Sequence, residues 1–199
     1  MIDIARIEGG FLVLAPVAVL AALISAGLIV VLLPWLKSYA LARPNARSSH
    51  RQPTPQGGGS AVIAATIAAA WVGAALAGTS LDGAAGQFLA LTAAATLLAI
   101  VGAVDDIRVL PATPRLILQC VAVGLVIAVL PVALRVVPML PWWIERACLL
   151  VAGVWFVNLT NFMDGIDWMT VTEAVPITGA TVLLGLLGAV PALPMLVAI

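Results

Sequence analysis

Two adjacent carboxylates, Asp105 and Asp106, follow a long apolar run in a sequence in which only 9% of the residues are charged. Adjacent carboxylates repel each other, and a divalent cation or a proton shared with a substrate would relieve that repulsion. Neighbouring helical positions point about 100° apart, so both acids can face one site only if the helix frays there. A solvated helix end is the alternative, although an acid at a helix C-terminus opposes the helix dipole.

A second polar patch contains two asparagines and two aspartates: Asn158, Asn161, Asp164 and Asp167. The members of each pair are three residues apart, which places them on one helical face. Gly165 permits a tight bend between the two acids. Carboxylate and amide oxygens suit Mg²⁺, which often shares its coordination shell with substrate phosphates, and they equally suit the edges of a nucleotide base. A purely structural cap is the alternative.

Cationic side chains accompany these acids. Arg115 and Gln119 are four residues apart at the start of an apolar run and share one helical face. Arg115 can fork onto a phosphate or pair with Asp105 or Asp106. An arginine that only snorkels at the membrane edge is the alternative.

The most polar stretch, residues 37–60, carries arginines at positions 43, 47 and 51 ahead of a glycine triplet at 57–59. Ser60 is a predicted helix N-cap. Small residues before a helix N-terminus suit an anion, and a positively charged loop that contacts lipid headgroups is the alternative. His50 is the sole histidine, and as such it fits a hydrogen-bonding loop residue better than a catalytic base.

The composition requires a membrane to hold these patches. Hydrophobic residues make up 63% of the 199 residues, and the mean hydropathy is +1.19. Soluble domains are nearer half apolar and a quarter charged. Long unbroken apolar runs favour helices over the short alternating segments of a β-barrel. The formal net charge is zero, so no surface for nucleic acid is indicated.

We therefore predict an all-α, polytopic membrane helical bundle in which residues 1–199 form a single integral membrane domain. Its spans, about six in number, are predicted at residues 11–36, 61–77, 88–104, 115–134, 147–157 and 171–199. The span at 147–157 is short, and part of the segment that begins at Asn158 can extend it. The last span is long for one helix, so a kink or an end before Pro191 is expected.

Six spans place the connections at 37–60, 105–115 and 158–170 on one side of the membrane. That side carries six lysines and arginines and the other side three, so the positive-inside bias places both acidic patches in the cytoplasm. Charges cluster at span ends rather than near the middle of the bilayer, which ranks a transporter or channel below the other functions.

Three ordered motifs resemble one known family. The stretch Arg43-Pro-Asn-Ala-Arg-Ser-Ser-His50, with Pro53-Thr-Pro-Gln-Gly-Gly-Gly59, resembles the first cytoplasmic loop of the polyprenyl-phosphate N-acetylhexosamine-1-phosphate transferases of glycosyltransferase family 4. The pair at 105–106 with Arg115-Leu-Ile-Leu-Gln119 is similar to their aspartate pair, and Asn158–Asp167 to their Asn/Asp loop. The nearest branch is that of the bacterial enzymes that begin O-antigen (lipopolysaccharide) or exopolysaccharide synthesis.

The resemblance implies that the chain moves a sugar-1-phosphate from a UDP-N-acetylhexosamine to undecaprenyl phosphate at the cytoplasmic face of the bacterial inner membrane, releasing UMP. Mg²⁺ or Mn²⁺ would be the cofactor, and a homodimer is left open. Carried over by position, Asp105 and Asp106 are catalytic, and together with Asn161 they hold the metal. The implied substrate-binding residues are Asn161, Asp164, Asp167, Arg115, Arg47 and His50.

The sequence departs from this family in two respects. Family members have about ten spans, with a Gly-Asp metal motif and a histidine/arginine cluster in later loops, and neither is found before Ile199. The chain is therefore expected to be the N-terminal portion of a longer fold. Trp168 stands where many members have glycine. The second hypothesis is accordingly a truncated, non-catalytic membrane module that binds lipid phosphate or a partner subunit.

Overall fold

The computed structural model describes residues 4–39, 41–42, 54–55, 57–76, 85–163 and 169–187. Within these ranges the protein is an all-helical bundle, as the sequence predicts. The helices in chain order are α1 (Ile4–Tyr39), α2 (Gly58–Leu76), α3 (Ala85–Ile107), α4 (Ala112–Ala128), α5 (Trp142–Met163) and α6 (Met169–Leu186). The other regular structure in the same ranges is a pair of two-residue strands, β1 (Leu41–Ala42) and β2 (Thr54–Pro55).

Among the described residues, four helices are long and apolar enough to cross a membrane: Ala15–Ser38 within α1, and the whole of α2, α3 and α5. Helix α4 has 17 residues and α6 has 18. At ~1.5 Å per residue they are about 26 and 27 Å long, slightly less than a hydrocarbon core of ~30 Å. Six helices match the number of predicted spans, and four of them meet the length and hydropathy of a complete span.

Each helix packs mainly against its neighbours in sequence. The contacts run from α1 to α2, α2 to α3, α3 to α4 and α4 to α5, and smaller contacts join α6 to α5 and to α1. Between α1 and α2 the contact uses small side chains: Ala69 is buried in a cluster with Val17 and Ala21. Small residues let helix backbones approach closely, which is the main source of helix association in lipid.

Two helix boundaries near the basic stretch differ from the prediction. Helix α1 continues three residues past the predicted end of the first span at residue 36, to Tyr39, and the Ser38 hydroxyl in its last turn donates a hydrogen bond to the Pro34 carbonyl at 3.1 Å. The N-cap prediction for Ser60 is wrong. Helix α2 begins at Gly58, and the Ser60 hydroxyl donates to the Gly57 carbonyl (2.6 Å) instead of accepting from a backbone N–H. Gly57 has a φ of 90°, which explains the need for glycine there.

The connection between α4 and α5 also differs. Helix α4 ends at Ala128 rather than at residue 134, and α5 begins at Trp142 rather than at 147. The cause is a charged cluster in the first turn of α5, where Glu145 and Arg146 are buried. Glu145 accepts hydrogen bonds from the Arg135 guanidinium and from backbone N–H groups of the connection, and Arg146 donates to the Pro131 carbonyl at 2.9 Å. These bonds fold the connection back onto α5.

Two further expectations for the C-terminal helices are confirmed. Helix α5 continues through Asn158 and Asn161 to Met163, as the short predicted span allowed. Helix α6 ends at Leu186, before Pro191. Both asparagines therefore lie on the last two turns of a regular helix.

Candidate active site

Asp105 lies in the last turn of α3 and joins that helix to the start of α4. Its Oδ1 accepts a hydrogen bond from the Leu110 N–H at 2.7 Å, and its Oδ2 accepts one from Arg115 Nη1 at 2.9 Å. The ion pair is partly shielded, with 20% of the Asp105 side chain and 30% of the Arg115 side chain exposed. Arg115 also offsets the unfavourable placement of an acid at a helix C-terminus. Both oxygens of Asp105 thus have a role in the fold.

Asp106 has a different environment. The helix does not fray at the acid pair but continues to Ile107, so the two carboxylates point about 100° apart. Asp106 is exposed, whereas Asp105 is half-buried. The two acids therefore do not face one point as a pair, and Asp106 is the one presented to the surface.

Gln119, one turn further along α4 than Arg115, connects to α5. It is 4% exposed, and its Oε1 accepts a hydrogen bond from Asn158 Nδ2 at 2.7 Å. The same Nδ2 group donates to the Val154 carbonyl at 2.8 Å. The face that Arg115 and Gln119 share on α4 thus reaches α3 at one position and α5 at the other. The Asp105–Asp106 motif and the Asn158–Asn161 motif, about fifty residues apart in the sequence, are thereby brought to the same end of the bundle.

The last turns of α5 have a second polar anchor, on the side of α6. The Thr160 hydroxyl is 3.3 Å from Glu173 Oε1 and donates a hydrogen bond to it. At about 100° per residue, Asn161 lies on the arc of α5 between Asn158, which faces α4, and Thr160, which faces α6. Asn161 is exposed. Two interhelical hydrogen bonds therefore fix the rotation of the helix turn that carries Asn161.

Asn161 and Arg115 lie at a similar depth in the bundle. Arg115 is four residues closer to the beginning of α4 than Gln119, and Asn161 is three residues closer to the end of α5 than Asn158. Because α4 and α5 are antiparallel neighbours, both side chains lie roughly 5 Å beyond the Gln119–Asn158 hydrogen bond. The described structure collects four predicted site residues at this end without burying them completely: Asp105, Asp106, Arg115 and Asn161.

Four predicted site residues, Asp164, Asp167, Arg47 and His50, lie outside the described residues, as does Trp168. The two strands on either side of Arg47 and His50 in the sequence are described. Strands β1 and β2 pair antiparallel, with Leu41 opposite Pro55 and Ala42 opposite Thr54. The segment that contains Arg47 and His50 therefore begins and ends beside the junction of α1 and α2.

A divalent cation would find only part of a site among the described residues. They contain no group of three or more histidine, cysteine, aspartate or glutamate side chains that could hold a metal ion. Asp105 is engaged through both oxygens, whereas Asp106 and Asn161 are exposed, and the carboxylate of the one and the amide oxygen of the other are suitable hard ligands. These two fit the chemistry of Mg²⁺ or Mn²⁺ but do not by themselves complete a coordination shell.

Sequence reasoning missed Glu173, which was not among the candidate site residues. It is the only charged residue in the sequence from 169 to 199. A single ionisable residue in an apolar helix is a recognised signal of function, so the sequence did contain the information. The Gln119–Asn158 hydrogen bond was also missed, because periodicity gives the face of a helix but not the neighbour which that face meets.

One comparison with known proteins finds a match, and it is to a family. The sequence model described as Glycosyl transferase family 4 matches residues 88–199, more than half of the chain. The matched region contains α3 from Phe88 onward and the whole of α4, α5 and α6, and hence every described residue of the candidate site. No curated protein and no solved structure matches the chain.

Proposed function

The chain belongs to glycosyl transferase family 4, a family of transferases that act on polyprenyl phosphates, and from this premise we propose that it transfers a sugar-1-phosphate from a UDP-N-acetylhexosamine to undecaprenyl phosphate. UMP leaves, and a lipid-linked pyrophosphoryl sugar that starts a cell-envelope glycan remains. The observation that carries the proposal is the joining of the Asp105–Asp106 motif and the Asn158–Asn161 motif through one face of α4.

The proposed reaction needs few groups from the protein. An oxygen of the lipid phosphate attacks the phosphorus attached to the sugar, and the bond from that phosphorus to the bridging oxygen of UMP breaks, with the electron pair leaving on UMP. The second pKa of a phosphomonoester is near ~6, so the lipid phosphate is largely ionised at neutral pH and requires no strong base. The work of the protein is therefore to position two anions and to stabilise their combined charge.

The described residues can divide this work. Arg115 uses one guanidinium nitrogen for Asp105 and retains other N–H groups with which to bind a phosphate oxygen. Asp106 and Asn161 are exposed and present oxygen ligands to a Mg²⁺ or Mn²⁺ ion. When bound, such an ion would offset the negative charge of the diphosphate. Asp105 holds the α3–α4 junction in place beneath them.

The membrane placement is part of the proposal. The positive-inside bias assigns this end of the bundle to the cytoplasmic side of the membrane, which we propose is a bacterial inner membrane. Nucleotide sugars are available on that side. The apolar helices supply the surface along which a polyprenyl chain can lie. The second hypothesis, a non-catalytic module that binds lipid phosphate, agrees with the engagement of both Asp105 oxygens in the fold. The two differ in whether a covalent product forms.

The test is transfer by the purified 199-residue chain. Reconstituted with undecaprenyl phosphate, Mg²⁺ and radiolabelled UDP-GlcNAc or UDP-GalNAc, it should yield a lipid-extractable labelled product and UMP. Asp106→Asn should lower the rate by about 100-fold or more, the usual effect of removing one preorganised electrostatic contact. Asp82→Asn, which falls in sequence between α2 and α3, is the matched control and should retain activity. Binding of undecaprenyl phosphate without any labelled product would instead establish the non-catalytic module.

A further inference from the structure

Glu173 on α6 has an oxygen for which the described part of the fold provides no partner. Its Oε1 accepts the hydrogen bond from the Thr160 hydroxyl at 3.3 Å. Its Oε2 is buried and has no hydrogen-bond partner among the described residues. A buried carboxylate oxygen without a donor is destabilising, and in a chain so poor in charge it calls for an explanation in function.

The position of this carboxylate relates it to the candidate site. Thr160, its partner, precedes Asn161, and Glu173 lies a little over one turn into α6, next to the end of α5. Arg115 and the acid pair lie on the opposite side of Asn161, toward α4 and α3. The Arg115 side thus holds a guanidinium together with the acid pair, of which Asp106 would help to hold a divalent cation. Among the described residues, the Glu173 side offers a carboxylate without a cation, and the exposed Asn161 lies between the two sides.

This polarity decides which part of a nucleotide sugar each side can accept. A carboxylate repels phosphates unless a cation lies between them, so the diphosphate belongs on the Arg115 side, where the guanidinium and a cation held by Asp106 and Asn161 would meet it. The uncharged parts of the substrate, the sugar and ribose rings, carry hydroxyl and amide N–H groups that donate hydrogen bonds, and a carboxylate accepts these strongly. A metal ion is a poorer occupant of this position, because the described residues place no cluster of further acidic or imidazole ligands around Glu173.

On these grounds, and resting on the proposed transferase function, we propose that Glu173 is a substrate-positioning residue whose Oε2 accepts a hydrogen bond from a hydroxyl or amide N–H group of the bound nucleotide sugar. Oε1 stays with Thr160 and keeps the carboxylate directed toward the turn that carries Asn161. Oε2 lies below the surface, and a small rotation of the carboxylate that keeps the contact of Oε1 with Thr160 would present it to the ligand.

Two variants separate this role from a purely structural one. Glu173→Gln retains an amide oxygen for Thr160 but replaces the charged acceptor by a neutral group. We expect it to raise KM for UDP-GlcNAc about tenfold, as a difference of 1.4 kcal/mol would, while the melting temperature without nucleotide stays the same or rises. Thr160→Val removes the interhelical hydrogen bond but leaves the charged oxygen. It should lower the melting temperature and change KM by less than about threefold.

The measurements are steady-state transfer kinetics and the shift in melting temperature on adding UDP-GlcNAc, or MgCl₂ alone, to the full chain. A Glu173→Gln variant with wild-type KM would show that the residue only pins α5 to α6, and would overturn the proposal. If MgCl₂ alone raises the melting temperature of Glu173→Gln less than that of the wild type, Oε2 of Glu173 binds the cation, and the proposal is equally overturned. If the wild-type chain forms no product and shows no shift with UDP-GlcNAc, the proposed function itself fails, and this role fails with it.

Discussion

Comparing the stability of Asp105→Asn with that of Asp106→Asn measures how much each acid contributes to holding the fold together. In Asp105→Asn, the carboxamide can still accept the hydrogen bond from the Leu110 N–H through its oxygen, but its NH₂ group then faces the Arg115 guanidinium, a donor against a donor. The substitution therefore removes an ion pair whose two side chains are 20% and 30% exposed. Asp106→Asn is the matched control, because it makes the same chemical change one residue away at an exposed position.

The expected magnitude lies between two limits. Exposed ion pairs contribute up to about 1 kcal/mol, and breaking a fully buried pair costs about 3–5 kcal/mol. A partly shielded, charge-assisted hydrogen bond at 2.9 Å should be worth about 2 kcal/mol. For a chain of this size, that lowers the melting temperature by about 4–8 °C, whereas Asp106→Asn should cost less than about 1 kcal/mol and hence under about 4 °C.

Thermal unfolding in detergent, followed by the fluorescence of the six tryptophans, measures both shifts. A double-mutant cycle with Arg115→Met isolates the pair, and we expect a coupling energy of about 1 kcal/mol or more. Equal melting temperatures for the two aspartate variants, or additive effects of Asp105→Asn and Arg115→Met, would refute the assignment of Asp105 to the fold. Transfer activity measured on the same samples would then show whether Asp105 also takes part in catalysis.

Two further predictions concern helix packing. In Gly153→Ala the new Cβ would lie 2.7 Å from Cγ1 of Val123, whose β-branched side chain is stiff, so α5 should move away from α4 and the stability should fall by about 1–3 kcal/mol. Gly179→Ala is the control: its new Cβ would have nothing within 4 Å, so this variant should be neutral or stabilising in the same thermal assay. Glu145→Gln removes the counter-charge of Arg135 and should lower the melting temperature, with limited proteolysis opening the α4–α5 connection before the rest of the chain. Resistance of that connection equal to wild type would contradict this role for the cluster.

Much of the bundle was predictable because the position of a helix depends on the residues within it. The apolar runs locate six helices, since a backbone in lipid must satisfy its own hydrogen bonds. The spacing of Asn158 and Asn161 predicts a shared helical face, and α5 does continue through both. The identity of the neighbouring helix is not local information. Nothing in the sequence spacing indicates that Asn158 meets Gln119 rather than the acid pair.

The α4–α5 connection shows how a local rule fails. Charges usually mark the outside of a span, so the prediction placed Glu145 and Arg146 in a loop. In the structure, Glu145 and Arg146 are buried near the start of α5, because Glu145 pairs with Arg135 and Arg146 donates to backbone carbonyl groups. Burial of a charge depends on whether partners with suitable geometry exist, and those partners come from a segment that folds back.

Helix α4 is the element on which the candidate site depends. Apolar contacts in lipid do little to fix how one helix is rotated against the next, since lipid tails contact apolar side chains equally well. Polar contacts do fix it, and α4 makes one to each neighbour: Arg115 to α3 and Gln119 to α5. Rotating α4 by a single residue, about 100°, would break both bonds together. The two sequence motifs are therefore held in register by the same face of one short helix, and a substitution that turns α4 should impair both motifs even though it touches neither.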